Sequence, residues 1–492
     1  VVNWITSGFV WCRENYNTPS LEAGRTEIML ARRRSKASFS WLLFLSIWLM
    51  ASCAPTVKKA EEFFTPSVKS EKEMGREFAQ EASKKLKLVE DPEIVEYVTR
   101  IGSRLVDAAQ PMSYKFRFHV VKSPTMNAFA VPGGHIYLYS GLLLKARHAG
   151  EIAGVMAHEL AHVKHRHMAQ MIGKGTLVSL ATLAAIILAR GEPAAAAGAM
   201  GAGAALQLSF TREVEQEADR FGLFYMYQAG YDPHGLLDFF ETMVREQRFS
   251  MSQVPPYLLT HPLSSERMAQ IENLIQFHRL EVKEPRQEKD FHRFQAMLQA
   301  EVGSAGQVIP WFKQKTDENP KDALAWHQLG VVYNKFGWTR EALSSLVRAV
   351  ELDPNLASAW ADLGMLQARL GRWEEADRCF ERALDIDPDH GPFLAMWGEA
   401  MVQRGRSQEG VALLQRALEK DPHLIRAHEM LARAKKDLGD EGGFHEEMAS
   451  FHEKMDQYTE AMKHLRLAKK AYGEKTPKGE EIQRRIEELK SS

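Results

Sequence analysis

Apolar positions along this chain hold one period for a stretch and then switch, and the switches mark its parts. Residues 71–109 break a polar background at helical intervals, which predicts two helices, Glu71 to Lys87 and Pro92 to Ala108. The second carries Ile94, Val95, Val98, Ile101 and Leu105 at that spacing, a face for a core. Pro92 suits its first turn, where the N–H that proline lacks would have had no intrahelical acceptor. From Tyr114 to Val121 the period drops to two, which predicts a strand. Asn127 to Tyr139 reads as two short strands around Pro132-Gly133-Gly134. Gly141-Leu142-Leu143 leads into a helix over 149–170, and helical spacing returns over 209–230. Between them, residues 176–206 are nearly all small or apolar, with Arg190-Gly191-Glu192-Pro193 as the interruption. Neither apolar run reaches the ~20 residues that a membrane-spanning helix needs. The stretch reads either as a helical hairpin lying near the site or dipping into the membrane interface, or as a plain Ala-rich packing element.

The C-terminal half carries a repeat. Pro320, Pro354, Pro388 and Pro422 fall 34 residues apart. In register run Gly330, Gly364, Gly398 and Ala432, then Gly337, Gly371, Gly405 and Gly439. Ala342, Ala376 and Gly410 follow, then Ala349, Ala383 and Ala417. This is the tetratricopeptide period and pattern, with small residues where paired helices cross. It runs over 321–440, and 441–475 holds a degenerate further pair (Tyr458, Ala461, Ala468) suited to capping the array. Trp326 and Trp360 read as repeat-core residues. Such arrays present a concave surface for peptides or partner proteins.

A length of 492 residues implies two or three domains. The formal charge of −1 leaves no nucleic-acid footprint. At the N-terminal end, the basic cluster Arg32-Arg33-Arg34-Ser35-Lys36 precedes a short apolar run, Phe39 to Met50. Met50-Ala51-Ser52-Cys53 resembles a bacterial lipobox, in which the Cys is lipidated. An ordinary signal peptide or a short membrane anchor is the other reading of this region, and residues 1–28, ahead of Met29, read as an upstream segment or a mis-called start. Ala54 after the Cys, by the same resemblance, favours the outer membrane. Of the three cysteines, Cys12 and Cys53 lie in this region. Cys379 stands alone in the body, which excludes an intrachain disulfide there.

The candidate chemistry sits in the helix over 149–170. His158-Glu159-Leu160-Ala161-His162 places two imidazoles one turn apart on one face, where they can close on a single Zn²⁺. Glu159 beside them is the matching general base. A helix merely rich in His and Glu is the bland reading, so a third ligand decides. The metzincin layout is excluded, because His165 and Met168 stand where Gly and His would be needed. A later acid must serve, and Glu215 is best placed, with Asp219 one turn on to orient a ligand imidazole. Glu213 and Glu217, on other faces, are the runners-up. His165 and His167 are expected to face solvent, and His119 and His135 to be structural or exposed.

The motifs in order are Asn127-Ala128-Phe129-Ala130 with Gly133-Gly134, His158-Glu159-x-x-His162, Arg212-x-x-Glu215-x-x-Ala218-Asp219, and Thr260-His261-Pro262 followed by Arg267. Together, over about residues 70–275, they resemble the CAAX-prenyl-protease/HtpX family of zinc metallopeptidases (gluzincins), in its exported BepA/LoiP-like branch. The resemblance implies one Zn²⁺ per chain on His158, His162 and Glu215, with Glu159 as base and Asp219 as support. It places His261 and Arg267 near the site, either one a candidate catalytic donor to the tetrahedral oxyanion, and His261 would either stabilise the transition state or cap the metal. The fold expected is mostly α: an α+β zincin-like metallopeptidase domain with a small sheet, followed by an α-solenoid of tetratricopeptide repeats. The divisions expected are an upstream segment 1–28, a lipoprotein signal peptide 29–52, a tether 53–70 and a zinc metallopeptidase domain 71–280. A linker or connecting helix 281–306, a repeat domain 307–475 and a charged tail 476–492 complete them. The function expected is a zinc-dependent endopeptidase acting on misfolded or stalled cell-envelope proteins. Its place would be periplasmic, anchored to the outer membrane through lipidated Cys53, with envelope assembly proteins as partners of the repeats and no nucleic acid. The alternative is a periplasmic chaperone or outer-membrane assembly factor with a self-inhibited zinc site.

Overall fold

The computed structural model describes residues 65–173, 210–249 and 255–491, apart from 284, 287 and 456. The upstream segment, the signal sequence, Cys53, most of the tether and the apolar stretch 176–206 lie outside these. Among the described residues no helix is long and apolar enough to cross a membrane.

Helix α1 (Val68–Lys85) starts on Ser67, whose side chain accepts the Ser70 N–H. Helix α2 (Pro92–Ala108) starts on Asp91, which accepts from the Glu93 and Ile94 N–H groups. The strand pattern shortens to β1 (Arg117–Val121), followed by β2 (Ala128–Val131) and β3 (His135–Tyr139). The turn between β2 and β3 puts Gly133 at φ +87, a conformation that side-chain-bearing residues rarely adopt. β3 pairs antiparallel with β2 and parallel with β1, giving the order β1-β3-β2 with β2 at an edge. Alternation sorts the sheet into two cores. Val121, Phe129, Val131, Tyr137 and Tyr139 pack with Phe78 of α1, while Val120, Ala128, Ala130, Ile136 and Leu138 join the main core.

Helix α3 (Ser140–Lys145) leads into α4 (Ala149–Lys164), whose residues 151–163 are all buried. A helix closed in on every side must be met by neighbours on every face. Those are α2, the edge strand, α6 (Arg212–Gln228) and α7 (His234–Phe249). At Gly222 of α6, an added Cβ would lie 3.2 Å from the His158 nitrogen, so glycine permits this close crossing. The predicted helix 149–170 is not continuous. It stops at Lys164, Arg166 turns to φ +59, and α5 (His167–Gly173) restarts the chain. Glu71 of α1 holds this break, accepting from Arg166 Nε at 2.7 Å. Helices α8 (Pro256–Thr260) and α9 (Ser265–His278) complete this half.

Within 281–306, α10 (Phe291–Val302) is a connecting helix that buries Phe291, Phe294, Met297 and Leu298 in the main core. After α11 (Ala305–Glu318) come the paired helices α12 (Ala323–Lys335) with α13 (Thr339–Leu352), and α14 (Ala357–Arg369) with α15 (Trp373–Ile386). Next are α16 (Gly391–Gln403) with α17 (Ser407–Lys420), and α18 (Ile425–Asp437) with α19 (Glu441–Lys454). Helix α20 (Tyr458–Tyr472) packs on α19 and on α21 (Pro477–Ser491). The stretch expected as a charged tail is thus helix α21, because Ile482 and Ile486, four apart, bury one stripe against α20.

The repeats receive α2 on the side formed by their first helices. Arg426 of α18 reaches Glu93 at 2.9 Å, and Arg293 of α10 bridges Glu93 and Asp362 of α14, each at 2.7 Å. Lys335 of α12 pairs with Asp91. Two turns further along α2, buried Arg100 meets Glu288 at 3.1 Å, Asp290 at 2.6 Å and Asp421 at 3.5 Å. Burial pushes the Asp362 carboxyl up, but the Arg293 guanidinium and His327 beside it outweigh burial and hold it below its ordinary value.

Two predictions follow from these buried pairs. Arg100→Met leaves three acids short of a cation and is expected to cost about 3–5 kcal/mol in urea unfolding. Asp362 has a depressed folded pKa, so its contribution is complete above the unfolded value of about 3.9 and vanishes as pH falls through the folded value. The stability gap between wild type and Asp362→Asn should therefore be widest near neutral pH and close progressively in acid denaturation series below pH ~4.

Candidate metal centre

Four elements deliver the candidate residues to one place. α4 supplies His158 and His162 one turn apart, with Glu159 beside the first. α6 begins on Thr211, which accepts the Val214 N–H, and so sets Glu215 and Asp219 one turn apart facing α4. His261 is the residue on which α8 ends, and Arg267 lies in the first turn of α9, where Ser264 caps its N–H at 3.2 Å. All seven are at most 4 % exposed. Glu213 is exposed and takes no part.

Nitrogen and oxygen atoms of His158, His162, Glu215 and His261 lie within 4.8 Å of one another. His162 Nε2 is 3.0 Å from His158 Nε2 and 3.4 Å from Glu215 Oε1. His261 Nδ1 is 3.3 Å from His158 Nε2 and 2.9 Å from Glu215 Oε1. Glu215 Oε2 is 3.5 Å from His158 Nε2. Glu159 projects beside this group, its Oε1 3.4 Å from His261 Nε2, buried and without a hydrogen bond.

Around these atoms sits an orienting layer. Arg267 donates to both oxygens of Asp219, from Nε at 2.6 Å and Nη2 at 2.7 Å, and its Nη1 lies 2.6 Å from Glu215 Oε2. Asp219 Oδ1 is 2.9 Å from His158 Nδ1, a shorter contact than the 3.5 Å from Arg267 Nη2 to the same nitrogen. Assigned from these neighbours, His158 carries its proton on Nδ1 and keeps the Nε2 lone pair free. Arg267 therefore serves the two acids of α6. His261 stacks on Tyr257 with ring centroids 4.6 Å apart, and Phe210 lies 4.2 Å from the His162 ring.

Burial disfavours charge on every group here, and the outcomes differ by partner. Burial pushes Glu215 up, but His261 and Arg267 outweigh it and hold the carboxyl well below its usual range. The same balance with Arg267 depresses Asp219. Burial depresses His162 well below the ordinary imidazole value, Glu215 offsetting only part of it. For His261 burial loses: Glu215 and Glu159 raise it.

The donor set fits a divalent cation. Ring nitrogens of His158 and His162 face each other and a carboxylate oxygen with lone pairs and no proton to share. The carboxylates of Glu159, Glu215 and Asp219 outnumber the cationic partners Arg267 and His261, leaving a net negative charge. A tetrahedral Zn²⁺ holds ligand atoms roughly 3.3 Å apart, and the separations among His158, His162 and Glu215 run from 3.0 to 3.5 Å. Two residues escaped the residue-level reading. His167, expected at the surface, is buried against His162, and Tyr257 lies under His261 with its hydroxyl buried and unpaired. Neither carries a local signal, because both positions depend on chain reversals. His165 is partly buried and stacks on Phe221, while His119 and His135 stack on each other in the sheet.

Residues 93–275 match the family model described as Peptidase family M48, and residues 299–467 match that of the Cilia and flagella-associated protein 70 C-terminal domain. A putative beta-barrel assembly-enhancing protease of Vibrio cholerae is 40% identical over 189 residues, which are 37% of this chain and 39% of the relative. The beta-barrel assembly-enhancing protease of Escherichia coli is 34% identical over 217 residues, 42% of this chain and 44% of the relative. The mitochondrial metalloendopeptidase OMA1 of Schizosaccharomyces pombe is 32% identical over 206 residues, 42% of this chain and 59% of the relative. The match thus spans less than half the length of the two bacterial relatives. The stretch 93–275, with the buried His–His–Glu cluster inside it, is thus similar to peptidase family M48.

Proposed function

We propose that the chain is a zinc-dependent endopeptidase of cell-envelope proteins, with His158, His162 and Glu215 holding the metal. The observation that carries this reading is the convergence of those three buried ligands beside a carboxylate, Glu159, that has an unpartnered oxygen. Two imidazoles and one acid are the donor set of catalytic zinc rather than of a closed structural site. When bound, the ion supplies a Lewis acid for the scissile carbonyl. Glu159 takes the proton of the attacking water and passes it to the leaving amine nitrogen. Asp219, held by Arg267, keeps the His158 ring in the ligating tautomer. The edge strand β2 offers its backbone to an extended substrate, which would give loose sequence preference. Envelope substrates are proposed from the names of the bacterial relatives, and anchoring through lipidated Cys53 from the lipobox. Partner proteins are assigned to the repeat faces that α2 leaves open.

A second reading has a specific observation behind it. His261 Nδ1 stands among the ligand atoms, 3.3 Å from His158 Nε2 and 2.9 Å from Glu215 Oε1. As a fourth ligand it would silence the site, leaving an assembly factor with a self-inhibited zinc site. Cells carrying only Glu159→Gln separate the two: normal envelope assembly favours the factor, a null phenotype favours the peptidase.

Casein digestion by the purified protein should stop with chelator and return with Zn²⁺. Glu159→Gln should lose at least about 10²-fold in rate while still binding one zinc per chain. Digestion that is indifferent to both treatments overturns the proposal. Asp219→Ala should weaken zinc binding by about 10–100-fold in a chelator competition, since its imidazole is no longer oriented.

A further inference from the structure

We infer that His167 is a positioning residue for His162, the two rings joined through their Nδ1 atoms, with Glu217 backing His167 from the far side. The inference rests on His162 being a metal ligand. His162 Nε2 faces the other ligand atoms and must keep its lone pair, so the His162 proton sits on Nδ1. That N–H is buried and needs an acceptor. His167 Nδ1 is 3.1 Å away. It accepts only if the His167 proton is on Nε2, and Nε2 is buried with no hydrogen bond, 3.6 Å from Glu217 Oε2. A carboxylate therefore faces the N–H that this tautomer creates.

The break after Lys164 makes the contact possible. In an unbroken helix a residue five positions on points roughly 140° away from His162. The left-handed Arg166 reverses that and brings His167 back under the ligand. The two imidazole ligands are thus served differently. His158 is held by Asp219, whose charge is neutralised by Arg267 at 2.6 Å. His162 is held by a neutral ring whose backing acid, Glu217, is 42% exposed and bonded to no arginine in the described structure.

Zinc affinity of the full chain, measured by chelator competition alongside the melting temperature of the metal-free protein, tests this. His167→Phe keeps the bulk and removes the acceptor; it should lose about 10–100-fold in affinity. His167→Asn places an amide oxygen where Nδ1 was and should stay within about threefold of wild type. Glu217→Ala, at a half-exposed position, should lose about threefold or more with an unchanged metal-free melting temperature, and it carries the test alone if His167→Phe does not fold. Equal affinities for His167→Phe and His167→Asn, or no loss in Glu217→Ala, overturn the inference while leaving the metal site intact. His162→Ala binding zinc as tightly as wild type overturns the metal assignment, and this inference with it.

Discussion

One guanidinium decides what the centre can be. Arg267 reaches across from α9 to hold both oxygens of Asp219 and to approach Glu215, so two acids share one fixed cation. Buried carboxylates without that partner would protonate or drive the helices apart. With it, Asp219 stays ionised and aims at His158, while Glu215 keeps an oxygen turned toward the imidazoles. An excess of negative charge remains, and it favours a divalent cation among these buried groups. Removing Arg267 would therefore cost more than a contact, because the charges of Asp219 and Glu215 and the tautomer of His158 are set relative to it.

The same economy of paired charge joins the two halves of the chain. Helix α2 is apolar on the face toward α4 and acidic at its start, and the first helices of the repeats answer that start with Lys335 and Arg426, joined by Arg293 of the connecting helix α10. A surface that repeat proteins commonly offer to peptides is here engaged by the chain's own helix. Whatever the repeats recruit must use what α2 leaves uncovered. Core packing through α10 makes the union continuous, since Phe291 and Phe294 belong to the core that also contains the residues of α4.

Local spacing made much of this legible. The pair His158 and His162, and the pair Glu215 and Asp219, are readable because a helix sets residues four apart on one face whatever surrounds it. The 34-residue register of small residues is equally local, since each repeat solves the same packing problem with its neighbour. Alternation in 117–139 separated the two faces of the sheet before any partner was known. What spacing does not contain is where a helix is forced to stop. The break at Arg166 depends on Glu71, almost a hundred residues away, and so the burial of His167 could not be read from its own neighbourhood. The role of Arg267 likewise follows from α9 folding back over α6, and the docking of α2 from charges spread over the repeats. The sequence by itself determined which side chains are presented together along each helix, because that is set by the backbone period. Only the tertiary structure decided which of them are deprived of water and must find one another, because burial is a property of the whole packed chain.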